Sequence, residues 1–307
     1  MSARLPIAAL AVAALALPAS AQPLPPRPGT VRNIAAACPS RDPMKGWADP
    51  APPARIFGNS YYVGTCGITA LLVETSAGLV LLDGGVPEAA PLVLANIRKL
   101  GFSLQMVRWI LVSHEHYDHS GALSAIQRAT GAQVIAGPFQ SRPLSSGWPD
   151  PDDPQAPSLA RHAMMPLTIS TVLPNGARHR VGGTSFTVAA TPAHSPGSTS
   201  WTWRSCEGSV CRTIAYADSA TAISDDGYRF SDNPKRVAAV RSGLAAIAAL
   251  PCDILVTPHP SASDLFARMS GIKPLVQFGA CRTYAEAAKN RFDERLASEN
   301  TQASPTK

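Results

Sequence analysis

Apolar runs alternate with amphipathic segments along the first half of the chain, and their order predicts β-β-α-β-α-β. The predicted strands are residues 68–75, 79–82, 107–112 and 133–136. The first two flank Ser76-Ala77-Gly78, which is a hairpin signal. One helix is predicted between Pro87, which suits a first helical position, and Gly101. A second helix follows Ser120 as its cap and ends at Gly131. Strands that alternate with helices are typical of an α/β fold.

The second half of the chain continues this pattern after a long irregular segment. Strands are predicted at 186–190, 201–204, 213–217 and 254–256, and helices at 234–249, 263–269 and 283–296. The segment between the halves, 137–166, is rich in Pro, Ser, Asp and Gly and is too long for a simple connection. It is interpreted as a loop over a functional site, with a mobile surface insertion as the alternative.

Candidate chemistry is concentrated in the run Ser113-His114-Glu115-His116-Tyr117-Asp118-His119-Ser120-Gly121, which holds three of the seven histidines. In an extended loop His114 and His116 can point to the same side, while Asp118 and His119 turn toward a second point nearby. Neutral imidazole and carboxylate are ligands that Zn(II) takes at about 2.0–2.2 Å. Four such groups within six residues, after a strand-like run, predict a site for two metal ions rather than isolated surface or core imidazoles.

The spacing His-x-His-x-Asp-His resembles that of the metallo-β-lactamase superfamily. The resemblance continues at Thr191-Pro192-Ala193-His194-Ser195-Pro196-Gly197-Ser198 and at Thr257-Pro258-His259-Pro260, each of which follows an apolar strand-like run. It implies the αββα fold, in which two mixed β-sheets lie face to face with helices on both outer faces. It also implies two Zn(II) ions as cofactors. By this resemblance one ion is held by His114, His116 and His194, and the other by Asp118, His119 and His259.

The N-terminus has the pattern of a secretory signal. Arg4, an apolar stretch at 5–17 and Ala19-Ser20-Ala21 predict cleavage after Ala21. The stretch is too short to span a membrane, and no other run reaches that length. The metal ligands are spread from 114 to 259, so we expect one domain at 22–297 and a polar tail at 298–307. The mature protein is expected to be periplasmic or secreted, with no membrane partner.

Six cysteines fit an oxidising compartment, in which an even number usually indicates disulfides. Cys206 and Cys211 flank a predicted hairpin turn that would bring them opposite each other. The resemblance to exported members of the family implies Cys38–Cys66 and Cys252–Cys281 as the other pairs.

The formal net charge of +6 does not indicate a nucleic-acid partner, because lysines and arginines are scattered and form no run or stripe. They are interpreted as a solvated surface, whose field would modestly attract an anionic substrate. The protein is expected to act on a small molecule as a monomer.

Two neighbouring zinc ions imply hydrolysis, because a water that bridges them loses its proton near neutral pH and becomes a nucleophile. Asp118 is predicted to bind the second ion and to accept a hydrogen bond from this hydroxide, which orients it toward a carbonyl carbon. Asp83, at the end of the second predicted strand, is interpreted either as a partner that fixes this loop or as a structural turn residue.

The run Tyr216-Ala217-Asp218-Ser219-Ala220-Thr221 is similar to the Tyr-Ala-Asp-Ser pattern of subclass B3 β-lactamases. This resemblance implies that Ser219 and Thr221 bind the carboxylate of a β-lactam. Tyr228 resembles a family tyrosine that donates toward the carbonyl oxygen, but extra residues precede it, and a partly buried structural tyrosine is the alternative. The sequence therefore predicts a zinc β-lactamase acting on penicillins, cephalosporins and carbapenems.

Two other functions stay open. A lactonase or glyoxalase-type thioesterase on the same scaffold would use Asp218 to bridge the two metals. A zinc-storage protein would bind the metal without turnover. The export signal and Ser219 favour the β-lactamase over the first, and the substrate-facing hydroxyls favour it over the second.

Overall fold

Two mixed β-sheets form the centre of this computed structural model, which describes residues 33–40 and 42–301. The first sheet contains β1 (Ala54–Phe57), β2 (Ser60–Tyr62), β3 (Leu71–Thr75), β4 (Gly78–Leu82), β5 (Val107–Leu111), β6 (Gln133–Ala136) and β7 (Ile169–Val172). The second contains β8 (Arg178–Val181), β9 (Thr184–Ala190), β10 (Thr199–Glu207), β11 (Val210–Tyr216) and β12 (Ile254–Val256). In both sheets, strands that are consecutive in sequence are neighbours.

The direction of the strands decides where the loops lie. In the first sheet β4, β5, β6 and β7 are parallel, so their carboxyl ends meet at one edge. In the second, β9 is antiparallel to β10 and β10 to β11, while β12 is parallel to β11. Strands β9, β11 and β12 therefore also share a direction, and the loops that follow them lie together.

Helices cover the outer faces of both sheets. The α-helices are α1 (Ile34–Ala37), α2 (Ala90–Lys99), α3 (Tyr117–Ser120), α4 (Leu123–Thr130), α5 (Ser141–Ser146), α6 (Ala156–Leu159), α7 (Pro234–Ala248), α8 (Leu265–Met269) and α9 (Ala280–Thr301). Short 3-10 helices occupy Pro87–Ala89, Leu104–Met106, Ala160–His162, Phe230–Asp232 and Pro260–Ser263. Among the described residues, no helix is both long enough and apolar enough to cross a membrane.

The apolar residues sort into three layers by the alternation of side chains along each strand. In β3, Leu71 and Val73 face the second sheet, where Trp201 and Trp203 are also buried. The intervening Leu72 points to the other side, into the layer that α2 and α4 cover. A third layer lies between the second sheet and helices α7 and α9. The predicted αββα sandwich is therefore confirmed.

The four strands predicted between 68 and 136 are present as β3 to β6, with bounds that differ by at most three residues. Strands β1, β2, β7 and β8 were not predicted. The predicted cap at Ser120 is wrong: Ser120 ends α3, and its hydroxyl donates to the carbonyl oxygen of His116 at 2.8 Å. Ala122 precedes α4 instead.

All three disulfides named from the sequence are present: Cys38–Cys66, Cys206–Cys211 and Cys252–Cys281. The second of these joins directly opposed positions of β10 and β11, as the hairpin predicts. The described residues include no free cysteine.

The C-terminal helix extends past residue 298. Helix α9 continues to Thr301, and the carboxylate of the buried Glu299 accepts a hydrogen bond from the Ser231 amide at 2.7 Å. Packing therefore extends beyond 298, where the polar tail was expected to begin. The expected signal at 1–21 and residues 302–307 lie outside the described residues.

Candidate metal centre

The candidate site lies where strands from both sheets end at one edge of the sandwich. His114 and its neighbours follow β5 in the first sheet, whereas His194, Asp218 and His259 follow β9, β11 and β12 in the second. In parallel sheets, the connecting helices pack against the faces of the sheet. The loops at the carboxyl ends of the strands lie together at one edge, where functional residues are commonly found. Residues that are more than one hundred positions apart in sequence thus meet in space.

A first cluster is formed by three buried histidines, His114, His116 and His194. One nitrogen from each ring lies within 4.8 Å of those of the other two. The ring centroids are 4.8 to 4.9 Å apart, and the rings meet edge to face. Three imidazoles in this arrangement can bind one divalent cation and leave a coordination position open.

Each of these rings is held by a hydrogen bond at its other nitrogen. The pairs are His114 Nδ1 with Asp218 Oδ1 at 2.8 Å, His116 Nε2 with Asp153 Oδ2 at 2.8 Å, and His194 Nδ1 with the carbonyl oxygen of Thr221 at 2.7 Å. The nitrogen left to His114 is Nε2, which is buried and has no hydrogen-bond partner. Partners of this kind fix the tautomer and orientation of a metal-binding histidine.

A second cluster is formed by Asp118, His119 and His259. Asp118 Oδ2 lies 3.1 Å from His119 Nε2 and 3.4 Å from His259 Nε2, and the two nitrogens are 3.4 Å apart. Ligand atoms bound tetrahedrally to one zinc at about 2.0–2.1 Å would be separated by about 3.3 Å. The three atoms therefore have the spacing that a shared cation requires, and the chemistry of both donor sets fits zinc.

Burial controls the charge of the ligands. Burial and the neighbouring His116 and His114 lower the pKa of His194 to about 3, so this ring is neutral at pH 7, which is the form that binds metal. Burial alone would raise the pKa of Asp118, but His119 and His259 lower it well below its usual value. Burial would also lower the pKa of His116, but Asp153 raises it to about 9, so a proton and a cation compete for this ring.

Asp218 lies beside the first cluster, where its fully buried carboxylate contacts His114 Nδ1. Its own amide donates to the Ser200 hydroxyl at 2.9 Å. Because Nδ1 and Nε2 lie on different sides of an imidazole, Asp218 Oδ1 contacts the side of His114 away from the free Nε2. This placement favours a partner of His114 over a bridge between two metals.

The predicted substrate-binding residues follow Asp218. Ser219 is buried, and Thr221 is exposed, with its hydroxyl 3.4 Å from His194 Nδ1. Tyr228 is half-buried, and its ring packs edge-on against Phe230 with 5.2 Å between centroids. Its carbonyl oxygen accepts a hydrogen bond from Arg295 at 3.4 Å. These contacts involve the ring and the backbone of Tyr228, and neither involves its hydroxyl.

Asp83 fixes the start of the loop at 113–121, which we call the metal loop. It has a φ of 58°, and its carboxylate accepts hydrogen bonds from the Ser113 amide at 2.7 Å, the Ser113 hydroxyl at 2.5 Å and the Tyr216 hydroxyl at 2.7 Å. Burial raises its pKa to about 6, against the lowering effect of His119 and of these donors. Because the left-handed region favours Gly, Asn and Asp, this position combines a backbone requirement with a carboxylate.

Two buried charged residues near the site were not found from the sequence. Arg236, at the start of α7, donates to the carbonyl oxygens of Pro192, Ala193 and His194 at 2.9, 3.1 and 2.9 Å. Glu115 accepts from the Ser195 hydroxyl at 2.9 Å and the Gly197 amide at 3.0 Å. Both residues hold the loop that carries His194. Their partners are distant in sequence, so no local pattern could indicate them.

An aromatic residue from the N-terminal segment also reaches the site. The Trp47 ring centroid is 6.0 Å from those of both Tyr117 and His259. Sequence reasoning missed Trp47, because it lies in an irregular segment far from every motif. It places an apolar surface beside the second cluster.

Comparison with known proteins is consistent with this geometry. The family model described as "Metallo-beta-lactamase superfamily" matches residues 63–207. The structure is similar to that of the metallo-β-lactamase MIM-1 from Novosphingobium pentaromativorans, with 54% identity, a TM-score of 0.86, and coverage of 89% of this chain and 100% of that one. It is also similar to MEM-A1, a subclass B3 metallo-β-lactamase isolated from a soil metagenome library. The identity is 38%, the TM-score is 0.76, and the coverage is 83% of this chain and 99% of that one.

A more distant similarity links the chain to a different hydrolase. A hydroxyacylglutathione hydrolase from Cereibacter sphaeroides is 26% identical over 194 residues, which are 61% of this chain. The chain spans 60% of the length of that relative.

Proposed function

The chain belongs to the metallo-β-lactamase superfamily and is a hydrolase, and on this premise we propose that it opens the amide of β-lactam antibiotics, including penicillins, cephalosporins and carbapenems. The observation that carries the proposal is the pair of adjoining ligand clusters at one edge of the sandwich. Similarity to β-lactamases over nearly the whole length of their chains supports the choice of substrate.

We propose that His114, His116 and His194 hold one Zn(II) and that Asp118, His119 and His259 hold the second. When bound, zinc polarises a carbonyl and makes a water acidic enough to act as a nucleophile near neutral pH. The unpartnered Nε2 of His114 and the close approach of three ligand atoms in the second cluster support this assignment.

The protein's own residues would then orient the reactants. The low pKa of Asp118 keeps its carboxylate ionised, so it can accept a hydrogen bond from the attacking water and direct it toward the carbonyl carbon. Ser219 and Thr221 would donate to the substrate carboxylate, and they lie directly after Asp218 on the same edge of the second sheet. Tyr228 would donate toward the carbonyl oxygen, where negative charge develops.

A glutathione-type thioesterase is the second candidate, because a hydroxyacylglutathione hydrolase is among the relatives. A thioesterase of this type would require Asp218 to bridge two metals. The hydrogen bond that His114 Nδ1 donates to Asp218 Oδ1 favours the β-lactamase instead.

The test is a comparison of two substrates on purified, zinc-loaded protein. We expect rapid opening of a chromogenic cephalosporin and slow cleavage of an S-acylglutathione thioester. The opposite order would refute the proposal and favour the thioesterase, and cleavage of neither would favour a zinc-storage protein.

We further propose a monomer that is periplasmic or secreted. The three disulfides support an oxidising compartment. Light scattering on the mature protein tests the first statement, and cell fractionation tests the second. A stable dimer, or retention in the cytoplasm, would contradict them.

A further inference from the structure

The long insertion between the two halves of the chain packs directly on the metal loop. We name residues 147–164 of this insertion the buttress segment. Asp153 contacts His116, with Oδ2 and Nε2 separated by 2.8 Å. The ring of His162 stacks on that of Tyr117, with centroids 4.6 Å apart and planes inclined by 11°. In a third contact, the Ser120 hydroxyl donates to the Met164 sulfur at 3.1 Å.

The Asp153 side chain is buried, and hydrogen bonds fix both of its carboxylate oxygens. It is 4% exposed, and its second carboxylate oxygen, Oδ1, accepts the amide of Gln155 at 2.8 Å. Both oxygens are therefore committed, one to the segment's own backbone and the other to His116. An aspartate that lies in the run Pro149-Asp150-Pro151-Asp152-Asp153 thus reaches a histidine 37 positions earlier.

The buttress segment is tied to the substrate side of the site as well. The Ser158 amide donates to Asp225 Oδ2 at 2.7 Å, and the Asp225 amide donates to the Pro154 carbonyl oxygen at 2.9 Å. Asp225 lies in the loop between the predicted substrate-binding residue Thr221 and Tyr228. The segment therefore joins the metal loop to the loop that would contact substrate.

We propose that Asp153 is a positioning residue that fixes the tautomer of His116 and thereby couples cation binding at the first cluster to the order of the buttress segment. This inference rests on the metal-binding role proposed for His116. With Oδ2 as acceptor, Nε2 of His116 carries the proton and Nδ1 presents its lone pair to the cation. Because coupling is reciprocal, a cation that requires this tautomer also stabilises the segment that enforces it.

The variant Asp153→Asn separates this role from simple packing. The amide has nearly the shape of the carboxylate, but only one of its two polar atoms is an acceptor. If the amide oxygen of the variant side chain keeps accepting from the Gln155 amide, the side-chain NH2 group faces His116 Nε2. Nε2 must then act as the acceptor, so the proton moves to Nδ1, the atom that the cation requires. If the amide turns over, its NH2 instead opposes the Gln155 amide, and two donors meet.

The experiment measures zinc affinity by competition with a chromophoric chelator, in the full-length protein and without any β-lactam. We expect Asp153→Asn to lower the affinity for one of the two zinc equivalents by about 10- to 100-fold and to leave the affinity for the other nearly unchanged. The matched control is Asp152→Asn, because Asp152 is the exposed neighbour in the same run. This variant should bind both zinc equivalents as the native protein does. The visible spectrum of the first Co(II) equivalent should change in Asp153→Asn only.

The second measurement is tryptic cleavage after Arg161, which is exposed within the buttress segment. Zinc should slow this cleavage in the native protein and in Asp152→Asn, but not in Asp153→Asn at the same zinc concentration. Native zinc affinity together with native protection in Asp153→Asn would overturn the inference. A native protein that binds no zinc would instead refute the proposed function.

A variant outside the buried pair keeps the coupling testable if Asp153→Asn does not fold. His162→Ala removes the exposed partner of the Tyr117 stack and leaves Asp153 in place. We expect a few-fold loss of zinc affinity and faster cleavage after Arg161 in the zinc-bound form. Unchanged values of both would contradict the coupling.

Discussion

The two ligand clusters differ in how firmly the protein holds them. In the first, every ring donates a hydrogen bond from its second nitrogen, to Asp218, Asp153 or the Thr221 carbonyl oxygen. In the second, Nδ1 of His259 and Nδ1 of His119 are buried without a hydrogen-bond partner, and Asp83 is 3.7 Å from the latter. The side chains of Asp118 and His259 are also 12% and 18% exposed, whereas that of His114 is fully buried.

The fold itself therefore orders the rings of the first cluster, whereas the side chains of the second cluster are held by fewer hydrogen bonds. Fixed ligands lose less conformational freedom when a cation binds, so less of the binding free energy is spent on ordering them. We therefore expect the first cluster to bind zinc more tightly than the second.

Removal of zinc should have the largest effect. A brief exposure to a chelator should leave one metal ion per molecule, and prolonged dialysis should remove both and abolish hydrolysis of a chromogenic cephalosporin. Elemental analysis during dialysis measures the two steps. Simultaneous loss of both ions would contradict the difference between the clusters.

Asp118→Asn should have the next largest effect, because it removes the acceptor that we propose orients the attacking water. We expect kcat to fall by about 10²- to 10⁴-fold. The first cluster contains no atom of Asp118, so one equivalent of zinc should remain bound with native affinity. Steady-state kinetics and metal analysis test the two parts separately, and near-normal kcat would refute the role of Asp118.

Asp218→Asn should weaken the first zinc by about 10- to 100-fold, because the charge that supports His114 is lost. The second zinc should change little, since Asp218 Oδ1 contacts a ligand of the first cluster. Chelator competition measures both affinities. Equal weakening of the two equivalents would show that Asp218 serves both ions, as a bridging residue would.

Thr221→Val should have the smallest effect. It removes the hydroxyl proposed to bind the substrate carboxylate and keeps the carbonyl oxygen that holds His194. We expect KM for a cephalosporin to rise by about 2- to 10-fold, which corresponds to one hydrogen bond. Zinc affinity should not change. Weaker zinc binding in this variant would indicate that the side chain, rather than the backbone, holds the ring.

Local patterns were sufficient to predict the elements that lead into the site. The apolar runs that became β3 to β6 and the compact motif from His114 to His119 are contiguous, so their period and spacing can be read directly. The layers of the sandwich followed from the resemblance that this motif carries. The hairpin that pairs Cys206 with Cys211 is equally local.

The missed features depend on contacts between distant residues. Strands β1 and β2 are only four and three residues long, and such short runs are recognised as strands only by their partners. Asp153 lies among prolines and aspartates that have the composition of a turn, and its role appears only when the insertion folds onto His116. Arg236 resembles any arginine in the first turn of a helix until its three carbonyl partners are known.

The turn between β10 and β11 lies at the end of the sandwich away from the reactive edge. Strand β11 runs from Val210 at the turn to Tyr216, which at about 3.4 Å per residue corresponds to roughly 20 Å. The disulfide clamps the base of the turn, and Ser209 at its tip is exposed. An affinity tag, a dye or a solid support attached at Ser209 would therefore leave the edge that carries both clusters free, which makes this turn a suitable point for immobilising the protein.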